Sequence, residues 1–329
     1  MSKQTHILQT QNLNVGYADN ATVLLENINI CASLGEFISL IGKNGIGKST
    51  LLKTLIGLQN PISGDVFIGN ENLKSISIEN LAKKISFVST ENIRIPNLKV
   101  SDFIALGRAP YTNWYGVLNN VDHKIIFEAI DLVNIKNIKN KNIDKLSDGE
   151  RQRALIARAL AQDTDIIFLD EPTAFLDLQN KYEIFHLLNK LSKEKQKTII
   201  FSTHDLNLAL NESDKIWLLA DKQIIEGMPE EIVLNNSINK LFDNSQLLFE
   251  KTSGEFVKKQ SNEKNISLIG SGVEFIWTKR ALIRNNFNIV ENAEISISIK
   301  TVNSTIWELK QNGNVLKFDS LSGLIEGLK

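Results

Sequence analysis

The sequence GKNGIGKST occupies residues 42–50 and has the spacing of a phosphate-binding loop, in which glycines at positions 42 and 47 precede a lysine and a serine. The preceding run FISLI (37–41) is short and apolar, which is typical of a buried strand. The following run TLLKTLI (50–56) carries leucines at helical spacing. Strand, glycine-rich loop and helix follow one another as this motif requires, so the stretch predicts an α/β fold.

Each part of this loop has a task in phosphate binding. The glycines allow backbone N–H groups to turn towards a polyphosphate, and the N-terminus of the following helix adds a positive dipole. We expect the ammonium group of Lys48 to reach the β- and γ-phosphates and the hydroxyl of Ser49 to ligate Mg²⁺. The sequence therefore predicts a nucleotide-binding protein.

The composition excludes several other classes. The chain has 329 residues, enough for one large domain and a smaller one. Its 37 Lys+Arg and 38 Asp+Glu residues give a formal net charge of −1, which does not favour binding of nucleic acid. The single cysteine, Cys31, cannot form an internal disulfide, which fits a reducing cytoplasm. The start lacks the apolar core of a signal peptide, and no apolar run is long enough to span a bilayer. We therefore expect any work at a membrane to depend on a partner.

Two further apolar runs end in residues that could act on a bound nucleotide. IIFL (166–169) leads to Asp170 and Glu171, and a buried parallel strand would present both carboxylates at the sheet edge where ligands bind. There Asp170 suits Mg²⁺ coordination, and Glu171 suits activation of an attacking water. TIIFST (198–203) leads in the same way to His204, which we expect to contact the γ-phosphate.

Two other segments bear on the same site. LSDGE (146–150) lies just before a run with helical spacing, so it predicts a loop that opens a helix with Ser147 as N-cap. The N-terminus of that helix could hold a second anionic group. Tyr17 has two open interpretations, because it could stack on a nucleotide base or pack in the core.

Together these motifs resemble the ATP-binding subunit of an ABC transporter over roughly residues 5–258. GKNGIGKST resembles the Walker A loop, LSDGE the ABC signature, IIFLDEP the Walker B segment and AFLD (174–177) the D-loop. The resemblance implies a P-loop NTPase fold with an antiparallel β subdomain and a helical subdomain, and it implies the cofactors ATP and Mg²⁺. The nucleotide-binding residues that it implies are Tyr17, Asn44, Gly45, Gly47, Lys48, Ser49, Thr50, Ser147 and Gly149. The implied metal-binding residues are Ser49, Asp170 and Thr90, and the implied catalytic residues are Glu171 and the switch histidine His204.

The resemblance also implies partners. Two copies would sandwich two ATP molecules, with Ser147 and Gly149 of one copy contacting the γ-phosphate held by the other. GRAP (107–110), LDLQNKYEIFHLL and HDLNLAL resemble the importer class that takes up iron–siderophores, haem or cobalamin. Subunits of that class dock on an integral membrane permease, which receives its substrate from a binding protein. We therefore expect a homodimeric ATPase in the cytoplasm, peripheral on the inner face of the cell membrane, with no nucleic-acid partner.

The permease would dock in a groove between residues 90 and 118. Tyr111, Trp114 and Tyr115 lie in that part of the sequence. They could form a patch that faces a partner, or they could pack beneath a loop.

Two residues depart from the family pattern. Thr90 stands where the family usually has a glutamine that contacts Mg²⁺ and the attacking water. Its hydroxyl can ligate but is shorter, and Glu91 could contribute instead. Asp148 is the third signature residue, where glycine is usual. A carboxylate beside a triphosphate is unfavourable, so we expect Asp148 to point away and to cap the following helix.

Beyond residue 260 the hydrophobic pattern starts again, which predicts two domains, residues 1–260 and 261–329. The second is a small α+β domain with a hairpin around Asn312-Gly313 and a final helix capped by Ser320. Its first helix is predicted at 272–287, with Phe275 and Trp277 as anchors. Sensing of a regulatory ligand and packing or dimerisation are both open as its role, and we favour the latter.

Two classes of function fit this pattern. The first is a transport ATPase that drives uptake of a metal chelate. The second is a soluble non-transport ABC-type ATPase in repair, translation or cofactor assembly. Translation factors of this type carry two cassettes, and repair ATPases insert a long coiled coil between the Walker segments. This chain has one cassette and no heptad run, so the sequence favours transport.

Overall fold

A computed structural model describes residues 6–17, 22–90, 95–243, 247–251, 254–258, 264–301 and 304–328 of the chain. Its internal contacts divide the chain into two compact units, Met1–Asn244 and Ser245–Lys329.

The first unit alternates strands and helices as the sequence predicts. Its elements in chain order are β1 (His6–Tyr17), β2 (Thr22–Ile28), β3 (Cys31–Ser33), β4 (Phe37–Gly42), α1 (Lys48–Leu55), β5 (Ser63–Ile68), β6 (Glu71–Asn72), α2 (Ile78–Leu81), β7 (Ile85–Val88), α3 (Val100–Ala105), α4 (Asn120–Leu132), α5 (Asp148–Ala161), β8 (Ile166–Leu169), α6 (Leu178–Lys195), β9 (Thr198–Thr203), α7 (Leu206–Glu212), β10 (Lys215–Ala220), β11 (Gln223–Gly227) and α8 (Pro229–Leu234). Short 3₁₀ turns lie at Leu73–Ser75, Leu106–Tyr111, Lys136–Ile138, Ile143–Lys145 and Ser237–Phe242.

The central sheet has the strand order β11-β10-β4-β9-β8-β7, and every neighbouring pair is parallel except β10 with β11. Every residue of β4, β8 and β9 is buried, because their apolar runs are covered on both faces. On one face Phe37 and Phe201 pack against the helices, with ring centroids 4.7 Å apart. On the other face Ile38, Leu40 and Phe168 join the core that includes α1.

The predicted antiparallel β subdomain forms a second sheet of order β2-β1-β5-β6, with β3 paired to β1. The predicted helical subdomain comprises α3, α4 and α5, which pack on one another. Between them lies a buried ion pair, in which the Arg108 Nε donates to Asp122 Oδ1 at 2.8 Å. The fold class predicted for this unit is therefore confirmed.

The second unit is an α+β fold, as predicted. Its elements are β12 (Leu247–Glu250), β13 (Glu255–Lys258), β14 (Lys264–Ile269), α9 (Gly272–Arg284), β15 (Phe287–Ile289), β16 (Ile295–Thr301), β17 (Thr305–Gln311), β18 (Asn314–Phe318) and α10 (Leu321–Gly327). The main sheet has the order β15-β14-β16-β17-β18. Asn312 and Gly313 both have positive φ in the β17–β18 hairpin, and Ser320 caps α10 through the Gly323 N–H.

The boundary between the units differs from the predicted one at 260/261. The hairpin β12–β13 belongs to the second unit, where Lys279 of α9 forms an ion pair with Glu250 and Arg280 forms one with Glu255. These pairs join residues that are 25 to 29 positions apart in the sequence, so the hydrophobic pattern of the chain did not indicate them. A fragment that keeps the first unit intact would therefore end before Ser245.

The first helix of the second unit also differs from the prediction. α9 ends at Arg284, and Phe287 begins β15 instead of ending the helix. Trp277 is 55% exposed and is not an anchor; the face of α9 that packs on the sheet consists of Thr278, Ala281 and Leu282. Trp277 instead stacks with Arg280, whose Cζ lies 4.6 Å from the ring centroid. The helical spacing of an aromatic residue does not by itself determine which face of the helix packs on the sheet.

A buried hydrogen bond fixes α9 to the sheet. The indole N–H of Trp307 on β17 donates to the Thr278 hydroxyl at 2.8 Å, and both residues are buried. Thr278→Val keeps the side-chain shape but leaves this N–H without an acceptor, so we expect a loss of about 1–3 kcal/mol in the stability of the second unit. Urea unfolding of the full chain, followed by tryptophan fluorescence, measures the shift. Thr301→Val, at an exposed position of β16, should change stability by less than about 0.5 kcal/mol, and equal shifts would contradict the prediction.

Candidate functional site

The phosphate-binding loop joins β4 to α1 at the carboxyl edge of the central sheet. Gly45 and Gly47 have φ values of 74° and 113°, which glycine adopts without strain. Gly47 is also the N-cap of α1, and the first turn of that helix contains no acidic side chain. The loop and the helix N-terminus therefore offer a positive site for an anion.

An open cavity of about 480 Å³ lies over this loop. It brings together most of the predicted nucleotide-binding residues and both predicted catalytic residues. Its lining consists of Tyr17, Leu24, Asn44, Gly45, Gly47, Lys48, Ser49, Thr50, Glu171 and His204. Leu24 is an addition that the sequence did not suggest, since it lies in β2, outside every motif.

Lys48 is buried in the floor of this cavity. Its ammonium group donates to the carbonyl oxygens of Gly42 at 2.9 Å and Lys43 at 3.2 Å. Burial lowers the pKa of Lys48, and the negative charges of Glu171 and Asp170 oppose that shift. The cation therefore lies where it can bind phosphate oxygens, close to two carboxylates.

Tyr17 lies at the end of β1 and is 48% exposed on the cavity wall. Its hydroxyl lies 3.3 Å from the Thr50 hydroxyl, which orients the ring beside the first turn of α1. Of the two interpretations that the sequence left open, packing in the core is excluded by this exposure. The ring face is available to a planar ligand.

The ends of β8 and β9 bring Asp170, Glu171 and His204 together, as the strand order predicts. Glu171 has a left-handed backbone, with φ at 46°. Its Oε1 lies 2.5 Å from His204 Nε2, and both side chains are partly exposed to the cavity. A carboxylate held by an imidazole at the open end of the sheet can accept a proton from water.

Ser202 is a residue of this site that the sequence reasoning missed. Its hydroxyl donates to Asp170 Oδ1 at 2.6 Å and accepts the backbone N–H of Glu171 at 2.8 Å. The signal was a polar residue inside the apolar run TIIFST, two positions before His204.

The signature segment lies apart from this cavity within the same chain. Ser147 is exposed and caps α5, since its hydroxyl accepts the Glu150 N–H at 3.3 Å while Glu150 accepts the Ser147 N–H. The second hydrogen bond is the main cause of the lowered pKa of Glu150. Gly149 lies close to Asn180: a Cβ added at this glycine would be 3.1 Å from the side-chain oxygen of Asn180. Neither Ser147 nor Gly149 lines the cavity over the phosphate loop.

Asp148, the unusual signature residue, points to solvent and not into the helix cap. Its carboxylate forms an ion pair with Arg151, one turn further along α5, at 3.1 Å. The prediction that Asp148 caps α5 is therefore wrong, because the hydroxyl of Ser147, and not the carboxylate of Asp148, accepts the Glu150 N–H.

Thr90 is exposed and lines a second cavity, of about 300 Å³, together with Glu171, Asp148 and Arg151. Glu171 lines both cavities, so Thr90 and the phosphate loop each share a cavity with this carboxylate. Glu91, the alternative, lies outside the described residues.

The oxygen donors near the phosphate loop fit a hard cation. Ser49 offers a hydroxyl and Asp170 a carboxylate, and Mg²⁺ is usually bound by one or two such ligands together with water and substrate phosphates. Within the described residues, no group of three or more His, Cys, Asp or Glu side chains could hold a metal by itself. This donor set suits a cation that arrives with a nucleotide.

Comparison with known proteins identifies the relatives of both units. The family described as "ABC transporter" matches residues 25–174, and the family described as "Iron ABC transporter C-terminal domain" matches residues 262–329. An uncharacterized ABC transporter ATP-binding protein of Methanocaldococcus jannaschii is 38% identical, over 86% of this chain and 98% of that protein. The iron(3+)-hydroxamate import ATP-binding protein of Bacillus subtilis is 35% identical, over 71% of this chain and 87% of that protein.

Solved structures give the same relationship. A proposed metal-chelate type ABC transporter in an inward-facing conformation has a TM-score of 0.65 at 28% identity, over 77% of this chain and 95% of that chain. A dimeric ATP-binding cassette bound to ADP and phosphate has a TM-score of 0.59 at 30% identity, over 68% of this chain and 98% of that chain.

Proposed function

The chain belongs to the ABC transporter ATP-binding family, and on that premise we propose that it is the ATPase subunit that energises uptake of a metal chelate of the iron–siderophore type. The observation that carries the proposal is the cavity in which the phosphate-binding loop meets Glu171 and His204. The relatives named as a probable siderophore transport system protein and as an iron(3+)-hydroxamate import protein support this substrate class.

ATP would bind along the wall of this cavity. The ring of Tyr17 would stack on the base, while Thr50 and the backbone N–H groups from Asn44 to Ser49 would hold the phosphates. On ATP binding, the Lys48 ammonium group would exchange its two backbone carbonyl partners for β- and γ-phosphate oxygens.

Ser49 and Asp170 would hold Mg²⁺ beside these phosphates, and Thr90 would contribute its hydroxyl from the second cavity. The metal would neutralise charge on the β- and γ-phosphate oxygens.

Glu171 would activate the attacking water and His204 would orient that carboxylate and stabilise the transferring phosphoryl group. Their 2.5 Å contact leaves the second carboxylate oxygen of Glu171 to accept the proton.

The signature segment completes the site from a second copy of the chain. Ser147 and Gly149 are far enough from the phosphate loop to line no common cavity with it, so they would contact the γ-phosphate in trans. The dimeric cassette among the structural relatives supports a homodimer. The ion pair of Asp148 with Arg151 would offset the repulsion between this carboxylate and the triphosphate.

A membrane permease would be the second partner, with a substrate-binding protein acting through it. Among helices in the described part of the chain, none combines the length and apolarity needed to cross a membrane. Trp114 and Tyr115 are 98% and 85% exposed, which excludes packing beneath a loop and favours a partner-facing patch. We propose that the permease docks there and holds the ATPase at the inner face of the cell membrane.

Transport can be tested in the native host. Deletion of the gene, or Lys48→Ala, should reduce uptake of radioactive iron–siderophore to the background level, because the variant cannot hold the triphosphate. Glu194→Gln, at an exposed position of α6, serves as the control and should support normal uptake. Undiminished uptake of iron–siderophore, haem and cobalamin in the deletion strain, with an active purified ATPase, would instead favour a non-transport role.

A further inference from the structure

Ser202 is buried at the carboxyl end of β9, with none of its surface exposed. The parallel register pairs Leu169 with Phe201, so the next residues of the two strands, Asp170 and Ser202, lie side by side. This neighbourhood explains the two short hydrogen bonds of the Ser202 hydroxyl, to Asp170 Oδ1 at 2.6 Å and from the Glu171 N–H at 2.8 Å.

A hydroxyl is required for both bonds, because it donates one hydrogen bond and accepts others at the same atom. β8 ends at Leu169, and Glu171 then turns into the left-handed region. The pairing of β8 with β9 ends at Leu169 and Phe201, so the Glu171 N–H lies beyond the paired residues of these strands. The Ser202 hydroxyl accepts this N–H and at the same time fixes one oxygen of Asp170.

We propose that Ser202 is a positioning residue for ATP hydrolysis, an inference that rests on the proposed ATPase function. The residue acts through its two partners and does not line the nucleotide cavity. It holds the proposed metal-binding carboxylate and the backbone of the proposed general base in one fixed relation. Catalytic groups must be held in such a relation for a water, a metal and a phosphate to align.

A second buried serine provides a matched control. Ser39 lies on β4, the neighbour of β9, directly opposite Phe201, and none of its surface is exposed. Its hydroxyl has no hydrogen-bond partner within the described part of the chain. Ser39→Ala therefore removes the same atom from the same sheet without touching Asp170 or Glu171.

The experiment compares full-length wild-type protein with Ser202→Ala, Ser39→Ala and Ser202→Thr. Three quantities are measured: kcat and KM for ATP, the Mg²⁺ concentration that gives half-maximal turnover, and the affinity for a non-hydrolysable ATP analogue with Mg²⁺ and with EDTA by calorimetry. Thermal unfolding reports whether each variant is folded.

For Ser202→Ala we expect kcat to fall by about 10-fold or more, since a displaced catalytic geometry costs on that order. The Mg²⁺ requirement should rise several-fold, and analogue affinity should fall with Mg²⁺ but not with EDTA. Ser202→Thr, which keeps the hydroxyl, should restore the Mg²⁺ dependence, and Ser39→Ala should resemble the wild type.

Two results would overturn the inference in different ways. If the wild type hydrolyses ATP and Ser202→Ala matches Ser39→Ala in kcat and Mg²⁺ dependence, Ser202 has no positioning role while the proposed function stands. If the wild type binds no ATP analogue and hydrolyses no ATP, the proposed function fails and the role of Ser202 fails with it. A third result would support the inference. If Ser202→Ala is unfolded, a Ser202→Thr protein that is folded and has the wild-type Mg²⁺ dependence of affinity would support the role of the hydroxyl.

Discussion

With glutamine in place of Glu171, ATP turnover should fall by about 100-fold or more, while ATP binding should stay within about threefold of the wild-type affinity. Glutamine has the size of glutamate but cannot accept a proton from water. The side chain lines the cavity 2.5 Å from His204, whereas Lys48 and the glycines of the loop would hold the phosphates in the proposed function. The substitution therefore removes the step of proton transfer and leaves the binding surface intact.

Two measurements on the purified full chain separate these effects. Phosphate release gives the turnover, and size-exclusion chromatography with light scattering shows whether ATP drives dimerisation. Because Glu171→Gln should bind ATP without hydrolysing it, we expect an ATP-dependent dimer to accumulate. Glu194→Gln is again the control. Near-normal turnover in Glu171→Gln would exclude this residue as the general base. A dimer that forms equally without ATP would contradict the prediction that ATP drives dimerisation.

Asp122→Ala should lower the stability of the first unit by about 3–5 kcal/mol, because it leaves the buried guanidinium of Arg108 without its counter-ion. The side chains of Arg108 and Asp122 are only 5% and 2% exposed. Arg108 also donates to the Ala161 carbonyl oxygen at 3.0 Å and stacks on Tyr111, with Cζ 4.0 Å from the ring centroid. Asp122 closes the capping box of α4 by accepting the Asn119 N–H at 2.9 Å.

Urea unfolding of the full chain, followed by circular dichroism, measures this loss. Lys124→Ala on the same helix is the control, because the Lys124–Glu128 pair is exposed and its atoms are 3.9 Å apart. We expect that control to change stability by less than about 1 kcal/mol. Equal effects of the two substitutions would show that the buried pair contributes no more than an exposed one.

The effect of Asp122→Ala should also depend on pH. The pKa of the Asp122 carboxyl is below its usual value, first because the Asn119 N–H donates to it and also because of Arg108, while burial opposes the shift. A carboxyl whose pKa is lower in the folded chain stabilises the fold above its unfolded pKa, and this stabilisation is lost as the pH falls through the folded value. The difference between wild type and variant should thus be constant near neutral pH and should shrink below about pH 4.

The sequence by itself determined those parts of the site that are continuous in the chain. The apolar run 37–41, the loop and the helix after it are neighbours by connectivity, so their motif predicted the strand, the turn and the anion site at once. The same holds for Ser147 as the N-cap of α5 and for the Asn312-Gly313 turn. In each case a few adjacent residues fix the backbone, because turn and cap preferences act over three or four positions.

The tertiary structure alone decided which distant residues meet. Ser202 reaches Asp170 through strand pairing across about thirty residues, Arg108 reaches Asp122 through helix packing, and the hairpin β12–β13 joins the second unit through ion pairs with α9. The sequence around Ser202 or Arg108 does not show whether a distant residue will bind its side chain. Hydrophobic periodicity specifies burial, but the partner of a buried polar group is set by strand order and register, and these emerge only when the chain is folded.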